Sequence, residues 1–381
     1  MRDFAEIVLW TAVASVFYLY VGYPALLAAL RAAFGRPVLK QRIEPSVSLL
    51  IPAYNEARVI ARKVRNSLEL DYPPEKLEIV VASDGSRDAT TRLAEEAALG
   101  CERVRVLLFE ENRGKLAVLN DVVPGLAGEI VVFTDAATMV VPGAVRALVA
   151  HFADPQVGAV SGLYRVTEPE QAEVGKQEDL YWRYETWLKT QEAGLWSALG
   201  AHGALYGIRK ELYPSLEPGV INDDYVIPVR ILQRGYRVSY EPEAVAVEEA
   251  VEMDGFARRI RIMAGNFHQL REITAFLKPF RPAPLFVFLS HKAGRLLAPF
   301  AMMAALAANL VLLGEPLYRA TAVLQVLFYG FAVVGAVARF RSGALRAPFY
   351  FCMLNAAVLA GLWYAVAGRA KPVWKAANAG P

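Results

Sequence analysis

Carboxylate side chains follow the ends of three predicted buried strands in the middle of the chain. Glu56 follows the first strand, Asp84 follows the second, and Asp135 follows the fourth. One such carboxylate is often only the N-cap of the next helix. Three are expected to meet, because ligands of parallel sheets bind outside the carboxyl ends of the strands. Carboxylates at that edge accept hydrogen bonds from hydroxyl or imide groups and hold Mg²⁺ or Mn²⁺ against a diphosphate.

The elements that carry these residues alternate between strands and helices from about residue 43 to residue 280. Apolar runs predict strands at 47–51, 77–82, 104–109, 130–134 and 157–166, and helical spacing predicts helices at 57–70, 88–99, from about Lys115 and from Pro142-Gly143. Leu93 and Ala97 are predicted to face inward. The alternation predicts an α/β fold with a mostly parallel sheet and flanking helices. No GxxxxGK[ST] loop and no GxGxxG after a strand is present, which excludes P-loop and dinucleotide-binding sites.

Long uncharged segments flank this middle region. The first runs from Ile7 to Leu30, and three more lie between Arg295 and Glu315, between Arg319 and Arg339, and between Arg346 and Arg369. Each is close to the ~20 residues that a transmembrane helix needs. The alternatives are a cleaved signal peptide for the first segment and a buried helical core for the last three. The first is too long for a typical signal sequence and has no small-x-small cleavage site.

The chain is therefore predicted to have three parts. Residues 1–42 form a transmembrane helix and linker, residues 43–280 form the α/β domain, and residues 281–381 form an interfacial segment with about three further transmembrane helices. The segment Arg281–Arg295 mixes apolar and basic residues, which is typical of a helix lying in the membrane interface, although a simple connector fits it nearly as well.

Basic residues beside the spans favour a cytoplasmic position for the middle domain, as in an integral protein of the bacterial inner membrane. Four of them follow the first helix: Arg31, Arg36, Lys40 and Arg42. The C-terminal tail is also basic, and three crossings would place it outside. Either the tail departs from the rule or one apolar segment is not a full crossing.

Composition narrows the class of protein further. Of 381 residues, 55% are hydrophobic and 21% are charged, so the polar residues must be concentrated in one part of the chain. The net charge of +3, without a long basic run, argues against a nucleic-acid partner. Cys101 and Cys352 lie in a polar and an apolar segment, which predicts neither a disulfide nor a zinc site.

Four short motifs in the middle domain, taken in order, resemble family 2 glycosyltransferases of the GT-A fold. They are Ile51-Pro52-Ala53-Tyr54-Asn55-Glu56, Ser83-Asp84-Gly85-Ser86, Gly114-Lys115 with Asn120, and Thr134-Asp135-Ala136. The flanking spans are similar to those of the polysaccharide synthase branch, which includes cellulose, hyaluronan and poly-N-acetylglucosamine synthases. The resemblance implies an inverting transfer of a sugar from a nucleotide diphosphate donor, commonly UDP-linked, to a lipid-linked or polysaccharide acceptor.

The resemblance also implies roles for individual residues. Those on the donor side are Pro52, Ala53, Tyr54, Glu56, Asp84, Lys115, Asp135 and Ala136, with Asp84 toward the base. Asp135 would be the first acid of the family's DxD motif and would ligate a divalent metal, Mg²⁺ or Mn²⁺. The motif here is Asp135-Ala136-Ala137, so the second acid is missing.

Asn222-Asp223-Asp224 occupies the place of the family's TED-like motif. The resemblance implies that Asp224 is the general base, with Asp223 as the second choice, because the reaction needs a carboxylate to take the proton of the acceptor hydroxyl. Capping of the helix that begins near Tyr225 is the alternative, and the two roles can coexist.

Arg258, Arg259 and Arg261 resemble the family's QxxRW segment. Arg258 and Arg261 would share a helix face and bind the departing diphosphate; a solvated basic stripe is the alternative. Ile262 stands where processive synthases have a tryptophan, which argues against synthesis of long polymers.

His202 and Gly203 fall in a small-residue loop that the resemblance places beneath the acceptor. A buried histidine satisfied by the backbone is the alternative. Nearby aromatic residues, Tyr181, Trp182, Tyr184 and Trp187, suit either a sugar ring or plain core packing.

Three functions are compatible with these observations. The first is a transferase acting on a lipid-linked or growing saccharide, and the second is a synthase that also exports its polymer. The third is a membrane protein that binds a nucleotide sugar without catalysis, a possibility that the missing second acid keeps open.

Overall fold

The computed structural model describes residues 1–167, 175–217, 220, 222–249, 255–277, 280–337 and 343–368. The chain forms two compact units. The helical unit comprises Met1–Ala33, Gln171–Arg183 and Glu252–Ala370, and the sheet unit contains Phe34–Glu170 and Tyr184–Val251. The sheet unit corresponds broadly to the predicted middle domain, but residues after 252 group with the long helices.

The helices are numbered in chain order. They are α1 (Arg2–Phe17), α2 (Tyr23–Phe34), α3 (Ile60–Leu68), α4 (Thr90–Ala98), α5 (Lys115–Val122), α6 (Ala144–Ala150), α7 (Gly175–Leu195), α8 (Asp223–Gln233), α9 (Gly255–Gln269), α10 (Thr274–Leu277), α11 (Pro282–Val287), α12 (Gly294–Val311), α13 (Pro316–Val337) and α14 (Gly343–Val366).

Within the described residues, eight strands form one sheet in the sheet unit. They are β1 (Val47–Ala53), β2 (Leu77–Asp84), β3 (Val104–Phe109), β4 (Ile130–Thr134), β5 (Thr138–Val140), β6 (Val157–Thr167), β7 (Leu205–Arg209) and β8 (Arg237–Glu249). Their order in the sheet is β3-β2-β1-β4-β7-β6-β8-β5.

The sheet is mixed but mostly parallel, which confirms the predicted fold class. Strands β1 to β4 are mutually parallel, whereas β7 runs antiparallel to β4 and to β6, and the short β5 runs antiparallel to β8. None of these antiparallel pairings was predicted. The start of β7 meets the end of β4, where Leu205 pairs with Thr134. The segment before β7 therefore arrives at the same sheet edge as Asp135.

Strand β1 is longer than its sequence predicts, because Pro52 does not end it. All seven residues of β1 are buried, and Pro52 and Ala53 pair with Ala82 and Ser83 of β2. On the other side, pairing with β4 stops at Leu50. A missing N–H is tolerated where a strand has no neighbour on one side, so proline fits this position.

Helix α4 buries a different set of side chains from the one predicted. Thr90 and Ala94 are buried, whereas Leu93 and Ala97 are half-buried. The hydroxyl of Thr90 accepts a hydrogen bond from the backbone N–H of Glu56 at 2.7 Å. This polar contact explains why a threonine replaces an apolar residue on the inward face.

In the part of the chain that the structure describes, four helices are long and apolar enough to cross a membrane, as predicted. They span Arg2–Phe34, Pro282–Val311, Pro316–Ala336 and Ala347–Val366. The predicted interfacial segment Arg281–Arg295 forms the first part of the second of these helices, which continues through a π-helical stretch at Phe288–Ala293. Its depth in a membrane stays a prediction.

Small residues and paired polar groups join these helices. Ala5, Leu9 and Ala12 of α1 form a buried cluster with Ala305 and Ala308 of α12. Elsewhere the hydroxyl groups of Tyr18 and Ser290 lie 2.8 Å apart. Close backbone approach over small residues and hydrogen bonds between helices are the usual means of packing where lipid, rather than water, surrounds the helices.

Candidate active site

The loop before α5 is anchored by Asp84, the last residue of β2. Its fully buried carboxylate accepts hydrogen bonds from the backbone N–H groups of Arg113, at 3.0 Å, and Gly114, at 2.8 Å. Gly85 has a φ of +64°, and a Cβ there would lie 2.3 Å from the backbone nitrogen of Asn112. Only glycine lets the two loops approach this closely.

The structure gives Asp84 a structural role beside the one that the resemblance implies. The resemblance places its carboxylate toward the nucleotide base, and here both oxygens also accept backbone N–H groups inside the protein. Hydrogen bonds of this kind, with one charged partner, are about twice as strong as neutral ones. Asp84 therefore fixes the loop that leads into Lys115, and a direct contact with donor stays a prediction.

The loops after β1 and β2 are tied together through Asn55. This residue has a left-handed backbone with a φ of 54°, which asparagine tolerates better than most side chains. Its N–H donates to the hydroxyl of Ser86 at 3.1 Å, and its Oδ1 accepts from the N–H of Arg87 at 2.8 Å. The two strand ends thus present one continuous surface, as the sequence predicted.

Most of the other predicted donor-side residues are buried at this surface. Pro52, Ala53, Glu56 and Ala136 are buried, and Tyr54 is half-buried. Contacts of Pro52, Ala53 and Ala136 with a nucleotide would therefore be made mainly by the backbone. Their roles in donor binding stay predictions.

Lys115 is the charged centre of the site. Its Nζ lies 3.1 Å from Oδ1 of Asp135 and 3.3 Å from Oδ2 of Asp223, so one ammonium joins the end of β4 to the first turn of α8. Burial alone would lower the pKa of Lys115, but the carboxylates of Asp135, Asp223 and Asp224 outweigh it and raise the pKa. Lys115 is therefore protonated at neutral pH.

Asp223 and Asp224 both lie in the first turn of α8, but their surroundings differ. Oδ2 of Asp224 accepts the backbone N–H of Gly203 at 3.0 Å, and the Asp224 carbonyl accepts the N–H of Ala201 at 2.7 Å. Asp223 accepts a long hydrogen bond, at 3.4 Å, from the hydroxyl of Tyr206. The residue at the N-cap is Asn222, whose side chain makes no capping hydrogen bond. The two carboxylates interact favourably with the positive N-terminal end of the helix dipole, but they do not occupy the N-cap position.

His202 belongs to the same loop as Gly203 and is neutral. Its Nε2 lies 3.1 Å from Nζ of Lys189, and its backbone N–H donates to the hydroxyl of Ser161 at 3.0 Å. Burial, together with the Lys189 ammonium, lowers the pKa of His202 well below its usual value. A neutral imidazole in this loop is a hydrogen-bonding group rather than a cation.

Lys63 is a buried residue of this region that the sequence analysis missed. It lies on α3 with no exposed surface, and its Nζ donates to the hydroxyl of Thr134 at 2.8 Å and to the carbonyl of Thr138 at 2.6 Å. Its spacing was a usable signal, because Lys63 shares one helix face with the buried residues Ile60, Val64 and Ser67. A lysine there must place its amine inside the protein.

Asn120, part of the third motif, holds a neighbouring loop in place. Its Nδ2 donates to the carbonyl of Leu216 at 2.8 Å, and its Oδ1 accepts from the hydroxyl of Tyr213 at 2.9 Å. The residue therefore fixes the segment that leads toward Asn222, and the motif contributes structure as well as a charged group.

The carboxylates fit a divalent ion that is shared with a ligand. Among the described residues, no group of three or more His, Cys, Asp and Glu side chains is arranged to hold a metal. Asp135 is the predicted metal ligand, and 37% of its side chain is exposed. Mg²⁺ is usually held by one or two carboxylates together with substrate phosphates. Asp135 can supply that one carboxylate, and a donor diphosphate the remaining oxygens.

Arg258 and Arg261 lie on α9, which belongs to the helical unit. They are three residues apart on one helix, as predicted, and the side chain of Arg261 is exposed. The side chain of Arg258 lies outside the described part of the structure. Their role in binding diphosphate stays a prediction.

Comparison with known proteins decides the family. A profile described as "Glycosyltransferase like family 2" matches residues 45–264, which include every motif of the sheet edge and both α8 acids. The chain belongs to glycosyltransferase family 2. This glycosyltransferase therefore has the enzyme class that its motifs predicted, and the resemblance found in the sequence is confirmed.

Two curated relatives show the range of proteins to which this glycosyltransferase is similar. The poly-beta-1,6-N-acetyl-D-glucosamine synthase of Staphylococcus aureus is 27% identical over 251 residues, covering 64% of this chain and 60% of the relative. The beta-monoglucosyldiacylglycerol synthase of Trichormus variabilis is 31% identical over 185 residues, covering 47% and 39%. The chain thus spans 60% or less of the length of either relative.

A solved structure resembles the glycosyltransferase over nearly its whole length. It is the mannosyltransferase PcManGT of Pyrobaculum calidifontis in complex with GDP-Man and Mn²⁺. The two chains are 26% identical with a TM-score of 0.71, and the match covers 94% of this chain and 99% of the other. The likeness includes the long apolar helices as well as the GT-A-like sheet.

The buried amine of Lys63 predicts a dependence of stability on pH. Burial lowers the pKa of Lys63 to about 7, against the opposing field of Asp135, whereas an unfolded lysine titrates near 10.4. Between these values the unfolded chain binds more protons, so this residue makes folding more favourable as pH rises, by up to about 1.4 kcal/mol per pH unit. Lys63→Met removes this contribution.

Thermal unfolding of wild type and Lys63→Met in detergent, at pH 6 to 9.5, measures the effect. The wild type should gain stability relative to the variant as pH rises above 7. A difference between the two proteins that does not change with pH contradicts a buried amine with a lowered pKa.

Proposed function

We propose that this glycosyltransferase is an inverting enzyme that transfers a sugar from a nucleoside diphosphate donor to a hydroxyl of a lipid-linked or saccharide acceptor. The observation that carries the proposal is the placement of Asp224. Its carboxylate is oriented by the N–H of Gly203, and Lys115 ties the neighbouring Asp223 to Asp135 at the donor edge of the sheet.

In the proposed reaction, Asp224 accepts the proton of the acceptor hydroxyl while the oxygen of that hydroxyl attacks the anomeric carbon of the donor. The bond from that carbon to the diphosphate breaks with inversion, and the nucleoside diphosphate leaves with the bonding electron pair. A carboxylate within hydrogen-bond reach of the hydroxyl contributes about 10²- to 10⁴-fold to such a step. Asp223 is less suited to this role, because it is paired with Lys115.

Cationic side chains would stabilise the leaving group. Lys115 is protonated and only 19% of its side chain is exposed, so its charge acts in a medium of lowered dielectric. Arg258 and Arg261 are proposed to bind the departing diphosphate as well. A divalent ion held by Asp135 would supply Lewis-acid neutralisation of the diphosphate when it is bound.

The acceptor is proposed to approach from the loop that contains His202 and Gly203. A neutral histidine and backbone groups suit hydroxyl groups better than they suit a charged substrate. The names of the two curated relatives, a glucosyldiacylglycerol synthase and a poly-N-acetylglucosamine synthase, support a lipid or a saccharide as acceptor. The second favours the polymer synthase as the alternative function, which product length would identify.

We also propose that the sheet unit faces the cytoplasm, on the basis of the basic residues after the first span. Cys101 is half-exposed in the sheet unit, whereas Cys352 lies on an apolar helix. In a Cys352→Ser background, a membrane-impermeant maleimide should label Cys101 in inside-out vesicles and leave it unlabelled in intact cells. Labelling in intact cells contradicts the orientation.

Release of nucleoside diphosphate tests the proposed function directly. Detergent-purified protein is incubated with membrane extract and a panel of donors, including UDP-sugars and GDP-mannose, with Mg²⁺, Mn²⁺ or EDTA. We expect release from one donor that stops in EDTA and returns with excess metal. Release that is insensitive to EDTA removes the metal from the proposal, and no release from any donor supports binding without catalysis.

The variant Asp224→Asn tests the proposed base. Asparagine keeps an oxygen for the N–H of Gly203 but cannot take a proton, so transfer should fall by at least about 100-fold while the KM for the donor changes by less than about threefold. Initial rates of product formation with a saturating acceptor measure this loss.

The matched control is Asp223→Asn, which makes the same change one residue earlier. It should retain more activity than Asp224→Asn, with its main effect on donor binding through Lys115. The reverse ranking would assign the base to Asp223 instead.

A further inference from the structure

A buried amine connects the two ends of the turn that carries Asp135. Thr134 ends β4 and Thr138 begins β5, and the residues between them are Asp135, Ala136 and Ala137. Lys63 donates to the hydroxyl of Thr134 and to the carbonyl of Thr138, at 2.8 Å and 2.6 Å. The two ends of this turn are thus joined by hydrogen bonds to a side chain of another element, α3.

The turn is also closed from within. The hydroxyl and the N–H of Thr138 both donate to the carbonyl of Asp135, at 3.0 Å and 3.3 Å, and the hydroxyl groups of Thr134 and Thr138 lie 3.2 Å apart. Each of these contacts fixes the backbone of Asp135 and leaves its carboxylate at the surface. Ala137 stands in place of a second acid, so the single carboxylate is positioned by this backbone and by its contact with the Lys115 ammonium at 3.1 Å.

The same hydrogen bonds reach the opposite side of the site. The hydroxyl of Thr134 donates to the carbonyl of Ala204 at 2.9 Å, across 70 residues of sequence. Ala204 follows Gly203, whose N–H donates to the carboxylate of Asp224. Lys63, through Thr134, therefore lies behind both the Asp135 turn and the backbone that orients the proposed base.

Stability does not explain a lysine at this position. Lys63 has no exposed surface, its two hydrogen-bond acceptors are a hydroxyl and a carbonyl, and burial lowers its pKa. An apolar side chain of similar length would avoid the cost of burying the amine. A residue that is unfavourable for folding and lies beneath a polar site is a candidate for a functional role.

We propose that Lys63 is a positioning residue for donor binding, which fixes the Thr134–Thr138 turn so that Asp135 can hold a divalent ion together with the donor diphosphate. This inference rests on the proposed function and deepens it. Lys63 touches neither substrate nor metal; it acts through the backbone of Asp135.

The test measures how much Mn²⁺ the protein retains in the presence of UDP or GDP. The loss of the six-line EPR signal of free Mn²⁺ reports this binding, and the measurement needs neither acceptor nor turnover. Lys63→Met keeps the apolar stem and removes the amine. We expect the Mn²⁺ concentration for half-saturation to rise at least tenfold in this variant, with a thermal midpoint at pH 7 no lower than that of wild type.

A matched control is Lys210→Met. The Nζ of Lys210 donates to the carbonyl of Leu126 at 2.5 Å, beside the opposite end of β4, where Ile130 pairs with Arg209. This variant loses a lysine-to-carbonyl hydrogen bond in the same unit, and its Mn²⁺ retention should equal that of wild type.

Thr134→Val provides a second route if Lys63→Met fails to fold. It removes one of the two acceptors of the Lys63 amine, and also the donor to Ala204, while keeping the shape of the side chain. Its half-saturating Mn²⁺ concentration should also rise. The value for the double variant should be no higher than the higher of the two single-variant values, because both substitutions disrupt the same hydrogen-bonded unit.

The outcomes separate the two proposals. Unchanged or tighter Mn²⁺ retention in Lys63→Met overturns the positioning role and leaves the proposed function standing, since tighter binding would mean that the amine only repels the ion. If the wild type fails to retain Mn²⁺ in the presence of either UDP or GDP, both the role of Lys63 and the metal-dependent function are overturned.

Discussion

The ammonium group of Lys115 offsets the repulsion between the carboxylates of this site. Asp135, Asp223 and Asp224 come from two different elements, and like charges brought close in a partly buried space repel each other. Lys115 lies within 3.3 Å of two of these carboxylates, and all three raise its pKa. Its position depends in turn on Asp84, which holds the preceding loop by two backbone N–H groups. The buried carboxylate of Asp84 at the end of β2 thus helps to fix the position at which the three partly buried carboxylates meet.

This arrangement bears on how the proposed donor would bind. A donor diphosphate is itself an anion, and it would compete with the carboxylates for Lys115. Under the proposed function, donor binding would therefore exchange partners around one cation. Such an exchange would suit an enzyme that releases a charged product after each transfer, because the carboxylates could pair with the ammonium again.

The sequence predicted the parallel half of the sheet well, because strands β1 to β4 are apolar runs separated by amphipathic helices. It did not predict β5, which has only three residues, nor the strands β7 and β8. The antiparallel direction of β7 is not encoded in local periodicity. Strand β1 was predicted too short because proline usually ends a strand, whereas here the neighbour β4 has already ended.

Within the site, motif spacing identified the residues but not what each one contacts. Asp84 was predicted to bind the donor and Asn120 was identified only as part of a motif, and both make hydrogen bonds that fix loops. Lys63 was missed because a lysine is expected to face solvent, although its helical spacing with buried neighbours indicated otherwise. Whether a motif residue anchors a loop or binds a ligand depends on its tertiary contacts, which no local pattern specifies.

The antiparallel entry of β7 has a consequence for how such enzymes can diversify. Since Leu205 is fixed opposite Thr134 by the register of β4 and β7, the backbone just before it is held as well: the N–H of Gly203 donates to Asp224, and the carbonyl of Ala204 accepts from Thr134. If this loop contacts the acceptor as proposed, relatives with other acceptors can differ there in side chains but not in loop length. The backbone that orients the proposed base and the side chains that would choose the acceptor then belong to the same few residues.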